Sequence, residues 1–142
     1  MSRKFLLAFA LAFTVSTCIM QNASAQTSLG SMSLTSPVMK DAQGTLLSSA
    51  PEGQFVVLST TVTNTRGEAQ PFVAIMEVRD QDGATQFPGF SIGNLEDNGT
   101  SEIGISWTPE NAGDYQLRAF LISGFEDPEI LTVAETSDAV IE

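Results

Sequence analysis

Beyond residue 28 the hydrophobic and polar positions favour a period of two over one of 3.6, the signature of half-buried strands. Phe55 to Asn64 is β-branched and alternating, with Val56, Leu58, Thr60 and Val62 on one face. Between Pro71 and Arg79, Phe72, Ala74, Met76 and Val78 point one way. Glu77 and Arg79 share the other face with Val73 and Ile75, which predicts a strand covered on both sides at one end. Ile103, Ile105 and Trp107 alternate inward in a further run, and Tyr115, Leu117, Ala119 and Leu121 do so in the next. Leu29 to Val38 reads as a first strand closed by Ser36-Pro37. Thr85 to Ile92 reads as an edge or bent strand, interrupted by Pro88-Gly89. Glu129 to Ala134 reads as the last strand, and the residues beyond it as frayed.

Turn residues separate these runs at intervals of about 8–12 residues. Lys40 to Gly44, Thr65 to Glu68, Asp80-Gln81-Asp82-Gly83 and Glu96 to Thr100 are the clearest of them. Seven principal strands with no amphipathic helix predict an all-β, antiparallel sandwich. The segment from Trp107 to Phe120 refines that. Trp107 ends one strand, Pro109 sits in a tight corner, and Gly113-Asp114-Tyr115 opens the next strand. An immunoglobulin-like sandwich writes its E–F corner this way, with the Tyr hydroxyl bonding to backbone a few residues upstream. These five residues fix architecture and say little about chemistry.

The first 25 residues read as a signal peptide. Arg3 and Lys4 give a positive start, Phe5 to Val15 is an apolar run too short to span a bilayer, and Ala23-Ser24-Ala25 supplies a small-x-small cleavage site. Cleavage before Gln26 would leave one domain over residues 26–142. A rival reading takes Val15-Ser16-Thr17-Cys18 as a lipobox with Cys18 acylated, although Thr17 suits that role poorly. Cys18 is the single cysteine, so a disulfide framework is excluded and stability must come from an apolar core. The mature chain is expected to lack any transmembrane segment.

Thr60-Thr61-Val62-Thr63-Asn64-Thr65, Gln70-Pro71-Phe72, Ile103 to Pro109 and Ala112-Gly113-Asp114-Tyr115 together resemble the small secreted Ig-like sandwich proteins common in archaea. These are similar to fibronectin type III and CARDB domains. The resemblance covers nearly the whole mature chain and implies a secreted or cell-surface module. The chain departs from antibody-type domains in having no cysteine pair and in placing Trp107 before the corner.

Charge and composition narrow the chemistry. Seventeen acids against six bases give a net charge of −11. Loss of Arg3 and Lys4 would move it to −13. Such a chain does not suit nucleic acid or anionic membranes, and the scattered acids read as solvated faces. With no histidine in the sequence and no cysteine after cleavage, Ser-His-Asp and Cys-His catalysis, the usual zinc sites and blue-copper ligation are excluded. Met32, Met39 and Met76 could in principle hold a soft metal, but Met76 falls on a core face and reads as a packing residue. Trp107 and Tyr115, the only Trp and Tyr, are committed to the corner and leave no aromatic platform for a glycosidase carboxylate pair. No catalytic residue, metal site or cofactor is expected.

Three weaker signals remain. Asp80 and Asp82 give the D-x-D-G opening of an oxygen-ligand calcium loop, but Ala84-Thr85-Gln86-Phe87 follows where further acids are needed, so a hairpin turn is expected. Asn98-Gly99-Thr100 is a glycosylation sequon on a turn. Phe87, Phe90, Phe120, Ile122 and Phe125 form an apolar patch if exposed together. The expected function is a non-catalytic extracellular module for binding, adhesion or surface structure, with another surface protein or a glycan as partner and self-association open. The alternatives are a filament subunit donating the Leu29–Leu34 strand, and a calcium- or carbohydrate-binding accessory domain.

Overall fold

A computed structural model describes residues 29–142; the expected signal peptide, its cleavage site and Cys18 lie outside the described residues. Ten strands form two five-stranded sheets, and the described residues contain no helix. The strands are β1 (Met32–Leu34), β2 (Val38–Lys40), β3 (Leu46–Leu47), β4 (Ser49–Ala50), β5 (Val56–Asn64), β6 (Gln70–Arg79), β7 (Thr85–Leu95), β8 (Thr100–Trp107), β9 (Gly113–Ile122) and β10 (Glu135–Ile141). The first sheet runs β1-β5-β2-β3, with β8 on the other side of β5. The second runs β4-β10-β9-β6-β7.

The count of ten replaces the expected seven for identifiable reasons. Leu29–Val38 splits in two because buried Pro37 offers no N–H to a ladder. The break is bridged by Thr35, whose Oγ1 accepts from Thr61 N at 2.9 Å while its carbonyl accepts from Thr60 Oγ1 at 2.6 Å. The last strand is β10, not Glu129–Ala134, and its end is paired rather than frayed. Ile130 meets Ile122 only in an isolated bridge, and Thr132 Oγ1 takes the Leu121 N–H at 3.0 Å. The regular ladder resumes two residues out of step, with Glu135 opposite Ala119. One pairing is not antiparallel: β10 runs parallel to β4, with Val140 opposite Ser49.

The inward faces of both sheets feed a common interior. One cluster joins Met39, Val56, Leu58 and Trp107 of the first sheet to Met76, Val78, Leu117 and Ile141 of the second. The other joins Met32 and Val62 to Phe72, Ala74, Leu121 and Leu131. Met76 therefore packs, as its core-face position predicted, and Met32 and Met39 are buried in these clusters too.

Outside the core, Glu102 on β8 accepts hydrogen bonds from Lys40 Nζ and Ser59 Oγ. The Lys40 hydrogen bond, then the Ser59 hydroxyl, then the Lys40 charge hold its carboxyl below the ordinary value of 4.5. Asp41, whose carboxylate accepts from Thr45 N and Gln43 N, is lowered chiefly by the Thr45 bond. A carboxylate lowered in the folded state stabilises fully above its unfolded pKa, and that stabilisation is lost as pH falls through the folded value. Glu102→Gln is therefore expected to lower stability at pH 7 and to converge on the parent protein as pH drops below 4.5. Urea unfolding at the two pH values checks this. A deficit that persists at low pH would assign the effect to packing instead.

Candidate interaction surface

The register of the second sheet lines up apolar side chains on the face turned away from the core. Residues directly opposite across antiparallel strands project to the same side. Ile75 on β6 stands opposite Phe90 on β7 and Phe120 on β9, giving one row across three strands. Val73 stands opposite Ile92 and Ile122, giving a second. Ile130 extends the second row through its bridge to Ile122. Val73 is buried even though it faces away from both core clusters, as the mixed pattern of β6 predicted.

The loop after β9 lays a further ring on these rows. Glu129 N donates to Ser123 Oγ at 2.9 Å and Ser123 N to the Glu129 carbonyl at 2.9 Å, closing the loop at its base. Phe125 then meets Phe90 edge-on, with ring centroids 5.3 Å apart and planes at 86°. Phe90 (60%), Ile92 (68%), Phe125 (58%) and Ile130 (61%) remain open to solvent. Solitary exposed apolar residues need no explanation, but these four belong to one contiguous group.

One end of the patch is polar and tied down. Arg118 lies 4.8 Å over the Phe120 ring and donates to Glu77 at 2.8 Å, and Arg79 pairs with the same carboxylate at 3.0 Å. Glu126, Asp127 and Glu129 are exposed in the loop at the other end. The patch thus has an apolar centre and charged margins, the anatomy of a protein contact.

Four of the five residues expected in a patch, Phe90, Phe120, Ile122 and Phe125, come together here. Phe87 does not. It lies three positions from Phe90, which in a strand puts it on the opposite face, and it packs against the core. Ile75, Ile92 and Ile130 complete the surface; their signal was the apolar outer face of β6 and its cross-strand neighbours.

The other residues singled out in the sequence lie apart from it. Tyr115 Oη donates to the Asn111 carbonyl at 2.8 Å, and its ring meets Trp107 edge-on at 5.5 Å. Pro109 is buried and its carbonyl accepts from Gly53 N at 2.8 Å. Gly113 opens β9 opposite Ile141, and Asp114 accepts from Gln81 Nε2 at 3.0 Å. Asp80 Oδ1 accepts from Asp82 N at 3.0 Å and Ala84 N at 2.9 Å, so this carboxylate serves its own turn. Among the described residues, no group of three or more acids stands together in a way that could hold a metal ion. Asn98 is exposed at the β7–β8 turn with φ 57 and donates to Asp97 Oδ2 at 2.8 Å. The segment considered as a strand donor is paired within its own chain, Met32 opposite Asn64 and Leu34 opposite Val62.

Comparison with solved structures places this architecture. The chain aligns with the C-terminal domain of wzt with a TM-score of 0.69 at 14% identity, over 80% of this chain and 74% of that one. It aligns with a CARDB domain from Pyrococcus furiosus, solved in complex with di-metal ions, with a TM-score of 0.54 at 14% identity over 80% and 91% of the two chains. The fold is CARDB-like. A human PapD-like domain, from CEP192, also aligns, with a TM-score of 0.52 at 10% identity over 99% and 98% of the chains. No family model and no curated protein sequence matches the chain. At these identities the likeness is one of fold, and function must be argued from the surface.

Proposed function

We propose that this chain is a non-catalytic, secreted or cell-surface module with an immunoglobulin-like β-sandwich fold, and that the outer apolar face of its second sheet is the contact surface. The observation that carries this reading is the pair of rows Phe90–Ile75–Phe120 and Ile92–Val73–Ile122, exposed at Phe90 and Ile92 and flanked by Phe125 against Phe90. The leader-like start with Ala23-Ser24-Ala25 supports export, and the histidine-free sequence removes Ser-His-Asp and Cys-His catalysis. The partner is another surface protein or a glycan-bearing one, engaged by burying the rings at the centre of the patch.

Labelled protein applied to intact cells of the source organism tests the reading. Saturable binding is expected, weakened at least ~10-fold by Phe125→Lys, which puts a charge among exposed rings and leaves the core untouched. Binding that survives the substitution would move the contact surface elsewhere. No binding by either protein would remove the adhesion reading.

A further inference from the structure

Strand β7 ends the second sheet, pairing with β6 on one side only. Natural sheets blunt such edges with charge, proline, bulges or short length. The edges at β3 and β4 are two residues long, and β8 carries Glu102. β7 is 11 residues long and carries none of the chain's 17 acids and six bases. Its blunting devices, Pro88 and a register shift at Val78/Arg79, sit at one end. Gly89 to Leu95 is left as an uncharged edge.

The backbone there is turned for pairing. Pro88 stands opposite Glu77, where its nitrogen, having no proton, faces away from β6. By the period of two, Phe90, Ile92 and Asn94 present their N–H and carbonyl groups to the same open side.

From this edge and the rows that run into it, we infer that two copies of the chain pair antiparallel through β7, about a two-fold axis at Ile92. Ile92 of each copy then faces its counterpart, and Phe90 faces Asn94 of the second copy. About six main-chain hydrogen bonds result from three such pairs. The row Ile92–Val73–Ile122 continues directly into the same row of the second copy, covering the most exposed apolar side chain of the patch. A second copy suits this edge because β7 is self-complementary about the two-fold axis, the same outward N–H and carbonyl groups meeting from both sides. The net charge of −11 opposes association elsewhere on the surface, and β7 meeting β7 brings no charged side chain of either strand into the contact. Because the contact is isologous it closes at two chains.

The inference rests on the outer face being a contact surface, yet fails separately from that reading, which concerns binding to cells. Sedimentation of the purified protein across a concentration series tests it. A dimer is expected, with the dissociation constant raised at least tenfold by Ile92→Lys, which sets like charges against each other on the axis. Ile92→Pro, which removes an outward donor without removing a bond to β6, is expected to act the same way. Leu46→Lys on β3 should leave the dimer intact, and circular dichroism should be unchanged in Ile92→Lys. A monomer at every concentration would overturn the proposal. So would a dimer indifferent to Ile92→Lys, or growth into assemblies longer than two.

Discussion

Phe72→Ala is expected to lower the unfolding free energy by about 4 kcal/mol, the largest loss from any single truncation in the second core cluster. Phe72 is 1% exposed and packs with Met32, Val62, Ala74, Leu121 and Leu131. Its ring has a second task. Phe72 stands directly opposite Gly93 on β7, and a Cβ built on Gly93 would lie 2.5 Å from Cζ of the ring. The aromatic ring covers the bare glycine backbone, so truncation opens a cavity and uncovers a strand together. Gly93→Ala alone should also destabilise, by about 1–3 kcal/mol, because the ring must move. Combining Gly93→Ala with Phe72→Leu should cost less than the sum of the two singles, since the smaller side chain makes room. Urea unfolding of the four proteins decides it. Strict additivity would mean that ring and glycine do not act as a unit.

Asn64→Ala should cost about 3 kcal/mol, a polar substitution with an effect of core size. Asn64 is fully buried at the end of β5. Its Nδ2 lies 2.8 Å from the Glu68 carbonyl, 2.9 Å from that of Leu95 and 3.1 Å from that of Glu96. Its Oδ1 accepts from Arg66 N at 2.9 Å, and its own N donates to the Gly99 carbonyl at 2.9 Å. One amide thus joins the turn after β5 to the turn between β7 and β8, and alanine would strand several buried groups at once. Asn64→Asp should be worse still at neutral pH, because a carboxylate would face three carbonyls, and should recover part of the loss on acidification. Thermal melts at neutral and acid pH test this. An aspartate variant as stable as the parent at pH 7 would overturn the account.

What was legible in the sequence was what depends on local pattern. β5, β6 and β9 keep strong alternation of large apolar residues, and they fall within a residue or two of where that pattern put them. The corner was legible because Tyr115 and Asn111 are four residues apart. β10 was not, because its half-covered face reads Glu135, Ser137, Ala139 and Ile141, and small or polar residues carry little hydrophobic signal. The more apolar Ile130 to Ala134 drew the prediction, although Thr132 there diverts the ladder through its hydroxyl. The grouping of Phe87 with Phe90 overlooked a parity that the sequence contained. Asn64 was invisible as a tie because two of its carbonyl partners lie about 30 residues away, and spacing of that kind leaves no periodic trace.

The parallel pairing of β4 and β10 has a consequence in time. Ser49 meets Val140, and the Glu142 N–H bonds to the Ala50 carbonyl, so the second sheet gains its outer strand only by closing a loop of some ninety residues. Such closures carry their entropic cost before any contact offsets it, and folds dominated by them form in milliseconds to seconds rather than microseconds. During synthesis the first sheet has every strand once β8 is made, whereas β4 waits for residues 135–141. The second sheet is therefore the last to be completed, with β4 docking only when β10 arrives.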